Sequence, residues 1–288
     1  MISLLLPGMN FKALKQHFIE EIASMYDVVE ASSIFYLALE NISNYNRSQA
    51  MLNQLEEVKP IELERYLQVM EKLNNGLPIQ HILQEAYFYG LQFEVNANVL
   101  IPRVETEELV QWIVDEVDSG STKAILDIGT GSGCIAVSLK KHFLQSTVYA
   151  MDISIEALIV ARKNALANHA AIEFITGSIL GYQSDLKFDV IVSNPPYIKE
   201  DEKAAMQPLV LDHEPHQALF VTNENPLLFY KAIADFALTN LHDNGYLFFE
   251  INEYLGAETV QMLSDKGLRN IVLRKDMQGK DRMICCRK

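Results

Sequence analysis

Between residues 10 and 75 apolar positions return at steps of three and four: Phe11, Leu14, Phe18 and Ile22, then Ile34, Leu37 and Ala38, then Met51, Leu52 and Leu55, then Leu63, Leu67 and Met70. That period belongs to amphipathic helices. Asn41 to Asn46 reads as a polar turn, Pro60 falls in the first turn of the last helix, and Asn74-Asn75-Gly76 closes that helix with glycine just past its end. Residues 1–78 are therefore read as a small helical domain whose apolar faces pack on one another.

The pattern changes at residues 84–101, where Tyr87, Phe88, Tyr89, Phe93, Val95 and the run Val99-Leu100-Ile101 predict a β-hairpin turning at Asn96-Ala97-Asn98. Residues 79–103 are taken as a hairpin linker between two domains. Ile101-Pro102-Arg103-Val104-Glu105-Thr106-Glu107-Glu108 then opens an amphipathic helix carrying Leu109, Val110, Ile113, Val114 and Val117. Its acidic first turn has two readings: it offsets the helix dipole, or the segment closes over a site from the side.

From residue 124 short apolar runs alternate with helical stretches, the signature of a parallel sheet covered on both faces. Predicted strands are 124–128, 147–151, 171–175, 188–192 and 245–251, with helices near 227–241 and 255–266. The last runs, 270–274 and 281–286, lie too close together for a helix between them and form an antiparallel edge hairpin. The fold class is α/β with a mostly parallel, Rossmann-like sheet over residues 104–288, and no internal repeat appears.

Candidate chemistry concentrates at the carboxyl ends of these strands, where open α/β sheets bind ligands. After the run 188–192 comes Ser193-Asn194-Pro195-Pro196-Tyr197. Two consecutive prolines stop the strand and stiffen the loop. The Asn194 side-chain oxygen and the Pro195 carbonyl can together accept both hydrogens of a planar –NH2 group, while Tyr197 offers a flat surface for its plane. An amide or exocyclic amine is a poor nucleophile, and acceptors that strengthen as its nitrogen gains positive character favour the transition state. The plain alternative is an ordinary turn, since Asn and Pro are common there.

Between the first strand and its helix lies Asp127-Ile128-Gly129-Thr130-Gly131-Ser132-Gly133. Glycines let the backbone turn tightly beneath a ligand at a helix N-terminus. A dinucleotide loop reads G-x-G-x-x-G; here Cys134 stands where its third glycine would be, which argues for a ligand made of an amino acid and a nucleoside. Asp152, ending the second strand, can accept both hydroxyls of a ribose or can cap the following helix, a role Ser154 also fills. Gly177-Ser178-Ile179 follow the third strand, where an adenine would lie.

Of 288 residues, 49% are apolar and 22% charged, an ordinary balance for a globular chain, and no run approaches the roughly 18 apolar residues of a membrane span. The start lacks the basic region of a signal peptide. Three cysteines, Cys134, Cys285 and Cys286, indicate neither a disulfide framework nor a metal site, in keeping with a reducing cytoplasm. A net charge of −14 disfavours phosphate backbones and suits a basic protein partner.

The D-x-G-x-G-x-G loop, the acidic end of the second strand and N-P-P-Y after the fourth together resemble the class I S-adenosylmethionine-dependent N-methyltransferases, whose sheet has seven strands. With the helical amino-terminal domain and the segment Leu100 to Glu107, the chain is similar to the peptide-chain release factor N5-glutamine methyltransferases over residues 10 to the end. That resemblance implies methylation of the side-chain amide of the glutamine in the Gly-Gly-Gln loop of class 1 release factors by S-adenosylmethionine, without a metal, in a cytoplasmic monomer whose helical domain recognises the substrate. Asn194, Pro195, Pro196 and Tyr197 would bind the glutamine, with Asn194, Pro195 and Tyr197 catalytic. Asp127, Gly129, Thr130, Gly131, Ser132, Gly133, Asp152, Ser178, Ile179 and Asn194 would bind the methyl donor. The sequence departs from the family pattern at Gln84 (glycine expected), Val104 (proline) and Ser178 (an acidic residue), the first two placed on the connecting hairpin.

The expected reaction is in-line transfer, with the amide nitrogen attacking opposite the sulfonium sulfur. An acidic stretch, Lys199 to Glu214, is expected either to meet a basic partner or to be plainly solvated. Rival readings are a methyltransferase for an exocyclic amine of a nucleic-acid base, a nucleotide-binding scaffold without activity, and, last, an NAD-dependent oxidoreductase.

Overall fold

The computed structural model describes residues 8–118, 120, 123–199, 215 and 220–288, and these fall into two compact units, Met1–Glu85 and Ala86–Lys288. The first unit is helical: α1 (Phe11–Glu21), α2 (Val28–Ser43), α3 (Arg47–Leu52), α4 (Pro60–Asn74) and α5 (Ile79–Leu83). Local sequence sets the helix ends. The Asn10 and Asp27 side chains accept the first free N–H groups of α1 and α2, and Asn46 with Gln49 forms a capping box on α3. At the end of α4 the Gly76 N–H donates to the Leu73 carbonyl and the Leu77 N–H to that of Lys72, a Schellman closure that needs the positive φ of Gly76.

Phe18, Phe35, Tyr66 and Leu14 are fully buried at the centre of this unit. The expected apolar face at Met51, Leu52 and Leu55 is not part of that core. All three are exposed, because α3 is a short helix of six residues that turns only Ala50 inward.

In the second unit β1 (Glu85–Phe88) and β2 (Leu91–Glu94) form a hairpin, followed by α6 (Val104–Glu116), β3 (Ala124–Ile128), α7 (Cys134–His142), β4 (Thr147–Asp152), α8 (Ile155–Ala167), β5 (Ile172–Thr176) and β6 (Phe188–Ser193). Two-residue strands β7 (Ile198–Lys199) and β8 (Phe220–Val221) pair with each other, and then come α9 (Leu228–Asn240), β9 (Leu241–Glu250), α10 (Gly256–Asp265), β10 (Arg269–Lys275) and β11 (Asp281–Arg287). The main sheet has seven strands in the order β10-β11-β9-β6-β3-β4-β5. The pairs β9-β6, β6-β3, β3-β4 and β4-β5 are parallel, and β11 runs antiparallel to both its neighbours. This is the mostly parallel sheet with an antiparallel edge hairpin that the hydrophobic pattern predicts. Its strands are apolar on both sides because each face is covered: Ile125 packs in the layer of Trp112 and Leu109, Leu126 and Ile128 in that of Tyr230 and Phe236.

The hairpin turns one strand earlier than expected. Tyr89 and Gly90, at φ of 49° and 72°, make a two-residue turn of the primed class, while Asn96 to Val99 is a separate turn beyond β2. The hairpin belongs to the second unit and rests on α8, where Ala86, Val95 and Val99 bury Ala157 and Val160. Asn164 of α8 completes its edge, accepting from the Glu94 N–H at 2.6 Å and donating to the Glu94 and Ser132 carbonyls at 2.9 Å each. One buried amide thus joins the hairpin to the glycine loop.

The departures at Gln84 and Val104 lie beside the hairpin and not on it. Gln84 caps α5 in the left-handed region at φ 56°, and Val104 is the exposed first residue of α6, behind an extended Arg103. Glycine relieves a left-handed backbone and proline suits a first helical position, so Gln84→Gly and Val104→Pro should each stabilise the protein by about 0.5–1 kcal/mol in urea titrations. Asn164→Ala should destabilise it by roughly 2 kcal/mol in the same measurement, since three backbone groups lose their partner.

Candidate active site

The parallel strands bring most of the expected site residues to one edge. Ser193, the last residue of β6, donates its hydroxyl to the Ile128 carbonyl at 2.7 Å and so fixes the ends of β6 and β3 against each other. Asn194 leaves that junction partly buried, Pro195 is buried, and Pro196 and Tyr197 are partly buried.

The Asn194 side chain donates through Nδ2 to Thr106 Oγ1 at 3.4 Å, and Thr106 in turn donates to Glu250 Oε2 at 2.6 Å. Tyr197 donates its hydroxyl to the other oxygen of that carboxyl at 3.2 Å, and Asn252 Nδ2 holds the Tyr197 carbonyl at 3.1 Å. Thr106 and Glu250 are buried, at 3% and 1% exposure. Of the segment 101–108, Glu105 and Glu107 stand in the first turn of α6, where acidic residues offset the helix dipole, while Thr106 reaches Asn194 and Glu250. The neighbouring Glu107 accepts from the Tyr89 N–H at 2.9 Å and steadies the hairpin turn.

Burial raises the Glu250 carboxyl above the ordinary carboxylate range, while the Thr106 hydrogen bond, the Arg282 charge and Tyr197 oppose that rise. Burial, and next to it the Glu250 charge, push the Tyr197 phenol well up, so it remains a hydroxyl donor. Arg282 is itself held by Asp276 at 3.1 Å.

The glycine loop forms a second cluster at the ends of β3 and β4. Gly129 and Thr130 donate their N–H groups to the Met151 carbonyl, at 2.8 and 3.0 Å, and Thr130 Oγ1 donates to Asp127 Oδ2 at 2.6 Å. Gly129, Gly131 and Gly133 all have positive φ. At Gly133 a side chain is excluded twice over: φ is 81°, and a Cβ would stand 3.1 Å from that of Ala161. Ser132 is buried with its carbonyl held by Asn164. Asp127 is wholly buried, Oδ1 makes no hydrogen bond of ordinary geometry, and burial pushes its carboxyl up to about 7 against the relief supplied by Thr130.

Asp152 accepts from the Gly131 N–H through Oδ2 and from the Ser154 N–H through Oδ1, both at 2.9 Å, so it braces the glycine loop; Ser154 is the cap of α8. The Asp152 carbonyl receives the Gly177 N–H at 2.9 Å, which ties in the loop after β5. There Ser178 Oγ accepts from the Leu180 N–H at 3.2 Å and Ile179 is buried. The acidic stretch from Lys199 to Glu214 lies outside the described residues, save for the backbone of Lys199.

Sequence reasoning missed Thr106, Glu250, Asn252 and Arg282. Glu250 carried a usable signal: it is the one charged residue in the apolar run Gly245 to Ile251, at a strand's carboxyl end. Thr106 carried none, since its neighbours explained the segment as a helix start.

The chain is similar in sequence and in fold to known proteins. The Methyltransferase small domain family matches residues 105–217. The release factor glutamine methyltransferase of Flavobacterium psychrophilum is 45% identical over 280 residues, covering 96% of this chain and 98% of its own. That of Bacteroides thetaiotaomicron is 44% identical over 233 residues, covering 80% and 82%. Among solved structures, a methyltransferase from Pyrococcus furiosus superposes with a TM-score of 0.51 at 16% identity, over 80% of this chain and 99% of that one. The Thermus thermophilus 16S rRNA N2 G1207 methyltransferase, in complex with AdoMet and guanosine, gives 0.52 at 16% identity, over 71% and 49%. Those two structures speak for the fold. The sequence relatives, matched at this identity over 98% and 82% of their own length, establish that the chain belongs to the release factor glutamine methyltransferase family.

Proposed function

We propose that the chain transfers the methyl group of S-adenosylmethionine to the side-chain amide nitrogen of the glutamine in the Gly-Gly-Gln motif of class 1 release factors. The observation that carries this reading is Asn194: its Nδ2 is turned to Thr106, which leaves Oδ1 for an incoming –NH2 group. The names of the relatives point to the same substrate. A nucleic-acid amine is less favoured, given those names and the net charge of −14. Because the substrate works in translation, the proposed reaction is cytoplasmic; the chain is taken to act as a monomer.

When bound, S-adenosylmethionine supplies an electrophilic methyl group on a positively charged sulfur. The residues present fit such a ligand. Asp127 offers a buried carboxyl oxygen that makes no hydrogen bond of ordinary geometry, suited to a cationic amino acid moiety, and the positive-φ glycines open backbone beside it. Asp152, Ser178 and Ile179 stand along the same edge for the nucleoside, and Thr130 and Ser132 shape the loop.

For the protein substrate, Asn194 Oδ1 and the Pro195 carbonyl accept the two amide hydrogens, and Tyr197 with Pro196 holds the amide plane. With the donor bound, the methyl group would pass to this nitrogen with S-adenosylhomocysteine as the leaving group, and one amide hydrogen would leave as a proton to water. The acceptors gain strength as the nitrogen becomes positive, so they favour the transition state over the bound amide.

Two measurements check this reading. Asn194→Ala should lower turnover about a hundredfold or more, with donor binding in calorimetry little changed. The assay is transfer of labelled methyl to a release factor, beside a copy whose Gly-Gly-Gln glutamine is alanine. The second concerns Asp127. Its folded value of about 7 lies above the ordinary 3.8, so its contribution to stability is complete below about pH 4 and is lost as pH rises through about 7. In urea titrations without ligand, Asp127→Asn should gain on the order of 2 kcal/mol relative to wild type between about pH 5 and about pH 8.

A further inference from the structure

Asn194 can serve an incoming amide only if its oxygen, and not its nitrogen, faces that amide. Oxygen and NH2 are nearly equal in size, so packing does not choose between them; hydrogen-bond polarity does. The polarity can be followed backwards. Thr106 has one hydroxyl hydrogen and spends it on Glu250 Oε2 at 2.6 Å, so toward Asn194 it can only accept. Whatever faces it there must be a donor, which turns Asn194 Nδ2 to Thr106 and Oδ1 away. In its ionised form Glu250 has no hydrogen to offer either hydroxyl, and its other oxygen takes the Tyr197 hydrogen at 3.2 Å.

We propose that Glu250 and Thr106 are positioning residues for methyl transfer: the Glu250 carboxylate fixes the hydrogen of Thr106, Thr106 fixes the amide orientation of Asn194, and the same carboxylate fixes Tyr197. This deepens the reading of Asn194 as the acceptor for the substrate amide and rests on it. The four groups come from three places in the chain: Thr106 from α6, Asn194 and Tyr197 from the loop after β6, and Glu250 from the end of β9. With Glu250 ionised, each of the three hydrogen bonds has one direction.

Glu250→Gln keeps the volume but presents one oxygen and one NH2 to two hydroxyls. If the NH2 faces Thr106, the threonine hydrogen swings toward Asn194 and draws its oxygen, and the catalytic amide is reversed. If it faces Tyr197, the phenol loses its acceptor and the ring loses its anchor. Thr106→Val removes the hydroxyl at nearly constant volume and leaves Asn194 free to turn over. Thr106→Ser keeps the hydroxyl.

The test measures kcat, and KM for each substrate, with labelled S-adenosylmethionine and a release factor bearing Gly-Gly-Gln, alongside donor binding by calorimetry. Thr106→Val and Glu250→Gln should each lower kcat roughly ten- to hundredfold, with donor affinity within about twofold of wild type. Thr106→Ser should restore kcat to within about threefold of wild type, and the double variant Thr106→Val/Glu250→Gln should be no slower than the worse single one, as expected of one chain of contacts. Wild-type kcat in Thr106→Val, with Asn194→Ala inactive, overturns the relay and spares the reading of Asn194. Equal losses in Thr106→Ser and Thr106→Val also overturn it, since packing and not the hydroxyl would then matter. An active Asn194→Ala overturns the reading of the site itself. If Glu250→Gln fails to fold, the serine and valine variants decide alone.

Discussion

A carboxyl group cut off from water has to be given its hydrogen bonds by the protein, and around Glu250 that requirement gathers the site. Leaving such a group unpaired costs several kcal/mol, so the elements that satisfy it are held where they must be. Helix α6 supplies Thr106, the loop after β6 supplies Tyr197, and β11 brings the Arg282 charge. Helix α9 adds the Tyr230 hydroxyl on the Glu250 carbonyl. A loop with two prolines is stiff in itself but is not thereby aimed. Its aim comes from the Ser193 bond to β3 at one end and the Asn252 bond to the Tyr197 carbonyl at the other.

Asp127 is buried as thoroughly, yet its surroundings treat it differently. Glu250 has a hydroxyl on each oxygen and a guanidinium charge near it; Asp127 has Thr130 on one oxygen and nothing of ordinary geometry on the other. The first is a finished piece of structure. The second keeps one oxygen without a hydrogen bond of ordinary geometry, and burial raises its carboxyl against the Thr130 bond.

The sheet was legible in the sequence because parallel strands buried on both faces read as unbroken apolar runs, and β3 falls on Ala124–Ile128 as the pattern predicts. The glycine loop and Asn194-Pro195-Pro196-Tyr197 were legible because each departs from ordinary turn chemistry in several residues at once. The hairpin turn was misplaced for a physical reason. Tyr89 holds a left-handed backbone that turn statistics assign to Asn or Gly, whereas Asn96-Ala97-Asn98 looked like a turn and is one, beyond the hairpin. Met51, Leu52 and Leu55 misled because periodicity reports that a face is apolar, not that anything covers it. Thr106 was invisible because its role is set by Glu250, some 144 residues away in sequence.

That separation reflects how an amide is oriented in a protein. Sterics place Asn194; only polarity decides which of its two ends faces outward. In water the choice is undone continually, because each water molecule can donate or accept. A chain of protein hydrogen bonds preserves the choice only if it ends on a group with no donor, and only if water is kept from its links. Glu250 meets the first condition as a carboxylate, and the burial of Glu250 and Thr106 meets the second. Such a group is expensive to bury, which is why it sits where strand end, helix start and proline loop already converge and can share its satisfaction. The orientation of one partly buried asparagine is thereby anchored in the most thoroughly buried carboxylate beside it.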